Sequence, residues 1–491
     1  MDTILNHPVT LLVIAALPLF GIVARLFGAS FKRVAKWYLY VAVFAVVVVM
    51  DSIFFPFIGG KDYFFRFAIE LSLAFFILWW AFEAQTGELL ALIKAKCKKP
   101  LFIAVSAFAG IYLIATLFAY DIHAAFWSNY ERGEGGFEMI HYYIFFALLV
   151  LLLDTERDWK NIFRFSLVSA GLMILYGIAG NFGLSTFIGA YAGATPPTGW
   201  WHVLVDGRFE GSLGNPAYVA PYLIFSMFYT AYLWISRKAR SAGNWLVHTG
   251  YALLIAVFVF FFILSQTRGA FIGLGVGIFV MLLYFVIAAR GSLRKWSGVF
   301  LLLVVLAGFG ILAFRNSPAL QKFPEGRLLQ ISLSDATAQT RFWVWGEAWK
   351  GFQERPILGW GPENFTTVFD KFFNPNFFVP GQNTETWFDR AHSVFFDYLV
   401  ETGILGLLSY LSIFCVLAWE FFKKKASHAV AMHESNRAHT AVLERGLFIA
   451  LPVAYLVQGV AIFDVLPMYI SLFLFLAFAY YYFYEKHGQN R

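Results

Sequence analysis

The chain has 491 residues, 60% hydrophobic and 14% charged, with a formal net charge of +7. Ordinary globular domains carry roughly 25% charged residues. The composition therefore excludes a soluble enzyme with an anchor and predicts an all-α polytopic membrane protein. The basic excess requires no nucleic acid, because cytoplasmic loops of membrane proteins collect Lys and Arg.

Thirteen apolar spans are centred roughly at residues 18, 48, 73, 110, 145, 172, 226, 256, 279, 305, 407, 453 and 475. One re-entrant segment would reduce them to twelve, so 12–13 transmembrane helices are expected. The first span has no basic flank before it and one after it (Arg25, Lys32, Arg33, Lys36). That is not the pattern of a cleavable signal peptide, and it sets the N-terminus outside. Arg66 and Glu70 interrupt the start of the span near 73. With this orientation the inside segments are 25–36, 84–99, 154–164, 237–246, 290–295, 422–445 and the C-terminal tail. They hold 24 of the 37 Lys and Arg residues, and every short loop obeys the positive-inside rule. Cys97 falls in a basic loop and Cys415 in a membrane helix, so no disulfide is expected, and no Cys/His metal cluster is visible.

The polar elaboration gathers on the outside. Asp121–Glu138 is acidic and Gly-rich, the 181–215 loop carries GWWHVLVDGRFEGSLGNP, and SQTRG forms a tight connection at 265–269. The large loop 315–391 is 77 residues long, unusual without a function. Its segment TAQTRFWVWGEAWKGFQERP predicts a helix from about Thr340 to Phe352, ended by Pro356 and the turn residues of LGWGPENF. AHSVFFDYLVETGILG follows at 391–406. It predicts a transmembrane helix starting near 392 and running to Phe422, with His392 at its mouth. Glu401 would then lie about 13 Å deeper at roughly 1.5 Å per residue. Gly403 and Gly406 are spaced for close helix contact. No internal repeat is visible, and residues 1–491 read as a single integral membrane domain.

Several outside residues can carry chemistry. Arg208, beside the turn of DGRFEGSLGNP, can grip phosphate bidentately or snorkel to lipid headgroups. Arg268 lies between two apolar runs, where a charge is costly unless paired or wet. It is either a ligand site or half of an ion pair with Glu401 or Asp464. Arg341 opens the loop helix, followed by Trp343, Trp345 and Trp349, whose rings suit sugar faces and membrane interfaces alike. His392 is a general base by its near-neutral pKa, a metal ligand lacking a partner cluster, or an interfacial histidine with a satisfied hydrogen bond. Glu401 pairs with an arginine or caps a neighbouring helix, and packing roles are expected for Glu70 and Asp51. A reaction outside the cytoplasm has no ATP or nucleotide sugar, so the substrate must arrive activated. A lipid-linked diphosphate fits, with arginines neutralising the leaving group and the histidine taking a hydroxyl proton.

Four stretches carry a resemblance to a known family: RFEGSLGNPAYVAPYL (208–223), SQTRGAFIG (265–273), RFWVWGEAWKGFQERPILGWGPENF (341–365) and AHSVFFDYLVETGILG (391–406). In these the sequence resembles the O-antigen ligase family of bacterial membrane glycosyltransferases, which includes O-antigen polymerase-like and protein O-oligosaccharyltransferase members. The resemblance implies a GT-C-like enzyme of the bacterial inner membrane, active on the extracytoplasmic face. It would move a glycan from an undecaprenyl-diphosphate carrier to a lipid, glycan or protein acceptor, inverting the anomeric centre without metal or other cofactor. It implies His392 as the acceptor-activating base, Arg208 and Arg268 as diphosphate ligands, and Arg341 as a further basic position. Asn215 belongs to the Gly-Asn-Pro turn, although Ala217 stands where the family often has Asn. Ligase, polymerase and protein oligosaccharyltransferase remain open at this point. A transporter of lipid-linked glycans would need polar residues through the midplane and often a repeat, neither of which is seen.

Overall fold

The computed structural model describes residues 8–50, 53, 55–129, 132–181, 207–237, 245–314, 317, 336–378, 385–428 and 435–486. Asp51, most of the 181–215 loop and the first part of the 315–391 loop lie outside the described residues.

The described residues form eighteen α-helices. The first eight are α1 (Pro8–Leu26), α2 (Phe31–Ala42), α3 (Gly59–Phe82), α4 (Thr86–Cys97), α5 (Pro100–Leu117), α6 (Ile122–Trp127), α7 (Gly136–Leu152) and α8 (Glu156–Asn181). Then come α9 (Pro216–Ile235), α10 (Trp245–Leu264), α11 (Arg268–Ala288) and α12 (Gly291–Phe314). The large loop contributes α13 (Ala336–Glu354) and α14 (Phe365–Lys371), and the chain ends with α15 (Val394–Glu401), α16 (Gly403–His428), α17 (Ser435–Gly459) and α18 (Leu466–Tyr484). Ten are long and apolar enough to cross a membrane, and α1 and α7 carry shorter apolar stretches. The chain is an all-α polytopic membrane protein.

The core is α18, whose apolar window is 100% buried; it packs against α7, α9 and the turn that follows α2. At the rim, α12 buries only 6% of its window and packs on α11. Helices α11 and α17 approach closely because Gly273 and Gly277 bring no Cβ. One added at Gly273 would lie 2.5 Å from the Ala454 carbonyl oxygen, and one at Gly277 would lie 2.8 Å from that of Ala450. This is the small-residue packing that membrane helices use where apolar burial gives no preference over lipid.

The loops sort into two sets. At one end lie Lys32–Asp154 (2.9 Å), Lys36–Asp158 (2.8 Å), Lys96–Glu485 (2.8 Å) and Lys486–Glu444 (2.7 Å), joining segments expected on one side of the membrane. At the other end gather residues 118–129, 132–135, 207–216, 265–268, 356–364, 385–394 and 459–465.

Two spans differ from expectation. The span centred near 48 is not one continuous helix. After α2 the chain tightens into a 3-10 turn at Val43–Val47 and leaves it extended at Val48. The β-branched run at 46–49 favours this, having low helix propensity. The carbonyls freed by the break are occupied: Ser169 Oγ donates to Val43 O (2.9 Å), Ser212 Oγ to Val46 O (2.8 Å) and buried Lys61 to Val48 O, as a low-dielectric setting demands.

The second correction concerns residues 392–422. No helix runs through them unbroken: α15 ends at Glu401, and α16 begins at Gly403, which has φ +66. The loop 356–361 seals the break. Trp360 N donates to Val400 O (2.9 Å) and Gly361 N to Glu401 O (2.8 Å), while Ile404 N donates to Pro356 O (2.9 Å). Gly403 is therefore a turn residue pressed on Ile357, and Gly406 packs on Thr402 of its own chain segment, instead of forming the expected helix-contact pair. The loop helix α13 is longer than expected, Ala336–Glu354.

A Cβ at position 403 would run into the Ile357 carbonyl and carry a left-handed penalty of about 1–2 kcal/mol. Gly403→Ala should lower the thermal midpoint of the purified protein, whereas Gly308→Ala, where an added Cβ meets nothing, should leave it within error.

Candidate functional site

The centre of the outer end is the strap from Phe388 to Val394, tied to the protein at nearly every residue. Asp389 is held bidentately by Arg132, Nε to Oδ2 at 2.6 Å and Nη2 to Oδ1 at 2.9 Å. The third arm of Arg132 donates to the Tyr218 hydroxyl at 3.0 Å, and its guanidinium lies 4.9 Å from the Phe463 ring centre. Burial would raise the Asp389 carboxyl, but the Arg132 fork holds it below the usual range. Ala391 is clamped on both sides: its N–H donates to Asp397 Oδ1 (2.7 Å) and its carbonyl accepts from Trp345 Nε1 (3.0 Å). Val394 N donates to Ile462 O at 3.0 Å.

His392 sits in this strap with φ +55, a left-handed conformation that costs a non-glycine residue energy and persists only where its surroundings impose it. Its ring is half-buried and lies nearly perpendicular to the rings of Phe388 (5.3 Å) and Phe463 (5.1 Å). Nδ1 lies 3.1 Å from the Arg390 carbonyl oxygen. A carbonyl only accepts, so Nδ1 carries the hydrogen and Nε2 keeps the lone pair. Burial lowers the imidazole pKa to about 4; the Arg390 carbonyl and Asp389 pull it up, while the charges of Arg341 and Arg132 press it further down.

Arg390 is a buried hub. It donates to both oxygens of Glu401 (3.1 and 3.2 Å), to Glu134 Oε2 (3.3 Å) and to Glu363. Glu363 also accepts from Ser128 Oγ at 2.9 Å. Burial pushes the carboxyls of Glu134 and Glu401 well up, against the pull of Arg390.

Arg208 and Arg268 are brought onto one turn. Arg208 donates through Nε to Ser265 O (3.1 Å) and through Nη2 to Thr267 Oγ1 (3.3 Å). Thr267 donates in turn to Pro216 O (3.1 Å) and precedes Arg268, the first residue of α11. The next residue, Gly269, lies against Ala461, one residue from the carbonyl that holds Val394. Asn215 caps α9, its side chain accepting from Ala217 N at 2.9 Å. That role explains the Gly-Asn-Pro turn whatever residue stands at 217, because only a backbone N–H is used. Glu401 meets Arg390 and not His392, and Asp464 accepts from the Tyr455 hydroxyl. Neither carboxylate suggested by the sequence for Arg268 is the partner it was paired with there.

Arg132, Tyr218, Asp389, Arg390, Glu134 and Glu363 escaped the sequence reading. The dipeptide Asp389-Arg390 directly before Ala391-His392 was a usable signal, since two adjacent charges at an apolar boundary need partners. Arg132 and Glu134 offered none beyond an acidic, Gly-rich loop. A small cavity of about 20 Å³ lies behind them, lined by Lys61, Asp62, Arg132, Glu134 and Tyr218 among others. It has room for one water. Among the described residues no group of three or more His, Cys, Asp or Glu side chains is arranged to hold a metal ion.

Residues 222–411 match the O-antigen ligase family. The match spans 190 of the 491 residues. The matched region holds Arg268, Arg341, His392 and Glu401, and begins after Arg208 and Asn215. No curated protein matches the chain. The match supports a membrane glycosyltransferase of the ligase or polymerase kind, a class whose glycan donors are lipid-linked.

Removing one partner of a buried ion pair strands the other and costs about 3–5 kcal/mol. The side chains of Arg132 and Asp389 are only 11% and 8% exposed. Asp389→Ala should therefore lower the unfolding midpoint strongly, and Arg132→Met combined with Asp389→Leu should recover most of the loss in the same measurement.

Proposed function

We propose that the chain transfers a glycan from an undecaprenyl-diphosphate carrier to an acceptor hydroxyl on the extracytoplasmic face of the bacterial inner membrane, without a metal. The observation that carries this reading is His392: a neutral imidazole with Nδ1 tied to a carbonyl and Nε2 left as a base, set among arginines. The acceptor hydroxyl gives its proton to Nε2 while its oxygen attacks the anomeric carbon. The bond from that carbon to the diphosphate oxygen breaks, and the diphosphate leaves with the electron pair. Attack opposite the leaving group inverts the centre. Arg208 and Arg268, joined through the Ser265–Thr267 turn, would take the leaving charge together with Arg341, the work a metal performs elsewhere. The basic pairs at the opposite end of the bundle, which suit the cytoplasmic side, support the outer face. Lipid, glycan and protein acceptors all present a hydroxyl that this base could serve.

A base with pKa near 4 is weak in the resting protein. An anionic diphosphate offsets Arg341 and Arg132, which raises the imidazole pKa and strengthens the base when the donor is present. Transfer needs neutral His392, so rate is lost as pH falls through its pKa. In purified protein the acid limb of kcat/KM, which reports the free enzyme, should fall near pH 4, and that of kcat should lie higher. Arg341→Gln removes a positive charge and should move the kcat/KM limb upward. If both limbs coincide at the ordinary histidine value, His392 is not the base.

Transfer from the synthetic carrier-linked donor should survive EDTA. It should fall by about 10²–10⁴-fold in His392→Ala and strongly in Arg268→Ala, with folding intact. Full activity in His392→Ala, or complete loss with EDTA, would sink the proposal.

A further inference from the structure

The strongest unassigned feature is Arg390. Its side chain binds three glutamates that come from three separate places: Glu134 before α7, Glu363 in the loop after α13, and Glu401 at the end of α15. All four residues are buried, Arg390 at 6%, Glu134 at 4%, Glu363 at 7% and Glu401 at 2% exposure. Its backbone does something different: the carbonyl takes the His392 Nδ1 hydrogen. The two functions meet in one residue, two positions from the candidate base.

We propose that Arg390 is a positioning residue for His392. Its guanidinium, fixed by Glu134, Glu363 and Glu401, holds in place the peptide whose carbonyl selects the Nδ1–H tautomer and aims Nε2 at the acceptor.

The geometry requires such a device. His392 holds a left-handed backbone, which a free loop would relax. The ring lies between two phenylalanines that do not distinguish one ring nitrogen from the other. Among the described residues the Arg390 carbonyl does so, and a carbonyl at the end of a mobile peptide would select nothing. Arg390 spends its donors in two directions, Nη1 on Glu401 and Nη2 on Glu134 and Glu363. A lysine ammonium, a point charge on a flexible stem, cannot reproduce that fork. The N–H of that same peptide is held by Asp397 and the next carbonyl by Trp345, so loss of the fork should remove one anchor of the carbonyl without releasing the whole strap. The charged groups facing His392 are Arg341, Asp389 and Arg132, and those facing Arg390 are Glu134, Glu363, Glu401 and Asp397.

This inference rests on the reading of His392 as the acceptor's base, and the test separates the two. The full chain, labelled with nitrogen-15 histidine in nanodiscs, gives the His392 tautomer by NMR, the signal being assigned by its absence in His392→Ala. Donor turnover is followed as release of undecaprenyl diphosphate. Wild type should show the single Nδ1–H form above pH 5. Arg390→Lys should show a mixture of tautomers and lose kcat by about 10²-fold, the scale of a misplaced reacting group, with donor KM within about twofold. If Arg390→Lys does not fold, Glu401→Gln serves, with about tenfold loss of kcat expected alongside the mixture. An Nε2–H form in wild type, or a folded Arg390→Lys protein with wild-type tautomer and kcat, overturns the proposal. If wild type turns over no donor, the base reading fails, and the tautomer still decides whether Arg390 positions the ring.

Discussion

The outer face depends on one interruption in the backbone. A chain leaving a membrane helix frees N–H and C=O groups that nothing in an apolar setting will satisfy. Between Glu401 and Gly403 those groups are taken by the loop 356–361, whose own N–H and C=O groups point back at them. Gly359 and Gly403 allow this contact, because each has positive φ and lies against the opposing backbone. The large loop is thereby attached to the membrane bundle by main-chain hydrogen bonds, independent of side-chain identity. Glu401, at the last turn of α15, meets Arg390, which lies in the non-helical strap before that helix.

Charge placement follows from that attachment. Arg390 would be intolerable alone at this depth, and three carboxylates around one guanidinium repel each other as much as they are drawn in. Burial first, and the neighbouring carboxylates after it, raise the carboxyls of Glu134 and Glu401 against the pull of Arg390. Arg66 is paired in the same way with Glu138, and Lys61 with carbonyl oxygens. These buried cations therefore have named counterparts, and the low dielectric around them gives fixed charges a longer reach toward a bound anion than they would have in water.

Much of the architecture was legible in the sequence because a membrane helix announces itself by length and apolarity. Twelve of the spans appear as helices at the expected places, the loops fall into the two expected sets, and the α13 helix lies where its pattern put it. What was not legible has a common cause. Lipid and protein are equally apolar, so nothing in the sequence marks α18 as the centre and α12 as the rim. Hydropathy also reads straight through a kink: the run at 41–50 is apolar throughout and that at 392–422 predominantly so, despite Asp397, Glu401 and Glu420, and only Gly403 and the β-branched valines hinted at breaks. In the candidate site, His392, Arg208 and Arg268 stood out by motif. Arg132 and Glu134 meet Asp389 and Arg390 across about 256 residues of chain, a pairing that no local pattern encodes.

The helix α13 links the parts of the site mechanically. Arg341 and Trp345 stand four residues apart on it and so share a face. Trp345 stacks on Phe396 of α15 at 5.2 Å and donates to the Ala391 carbonyl, while the charge of Arg341 acts on the His392 ring. One rigid element thus carries both a charge that an arriving diphosphate would meet and a hydrogen bond that holds the residue next to the base. A displacement of α13 cannot change the first without straining the second. Its inner face, with Val344 and Ala348 fully buried, packs in one apolar cluster with Val368, Phe369 and Val400, and close-packed interiors resist continuous deformation. The loop helix is in that sense part of the scaffold, and Trp345 is explained by packing on the strap and Trp343 by packing on Phe377 before any sugar is invoked.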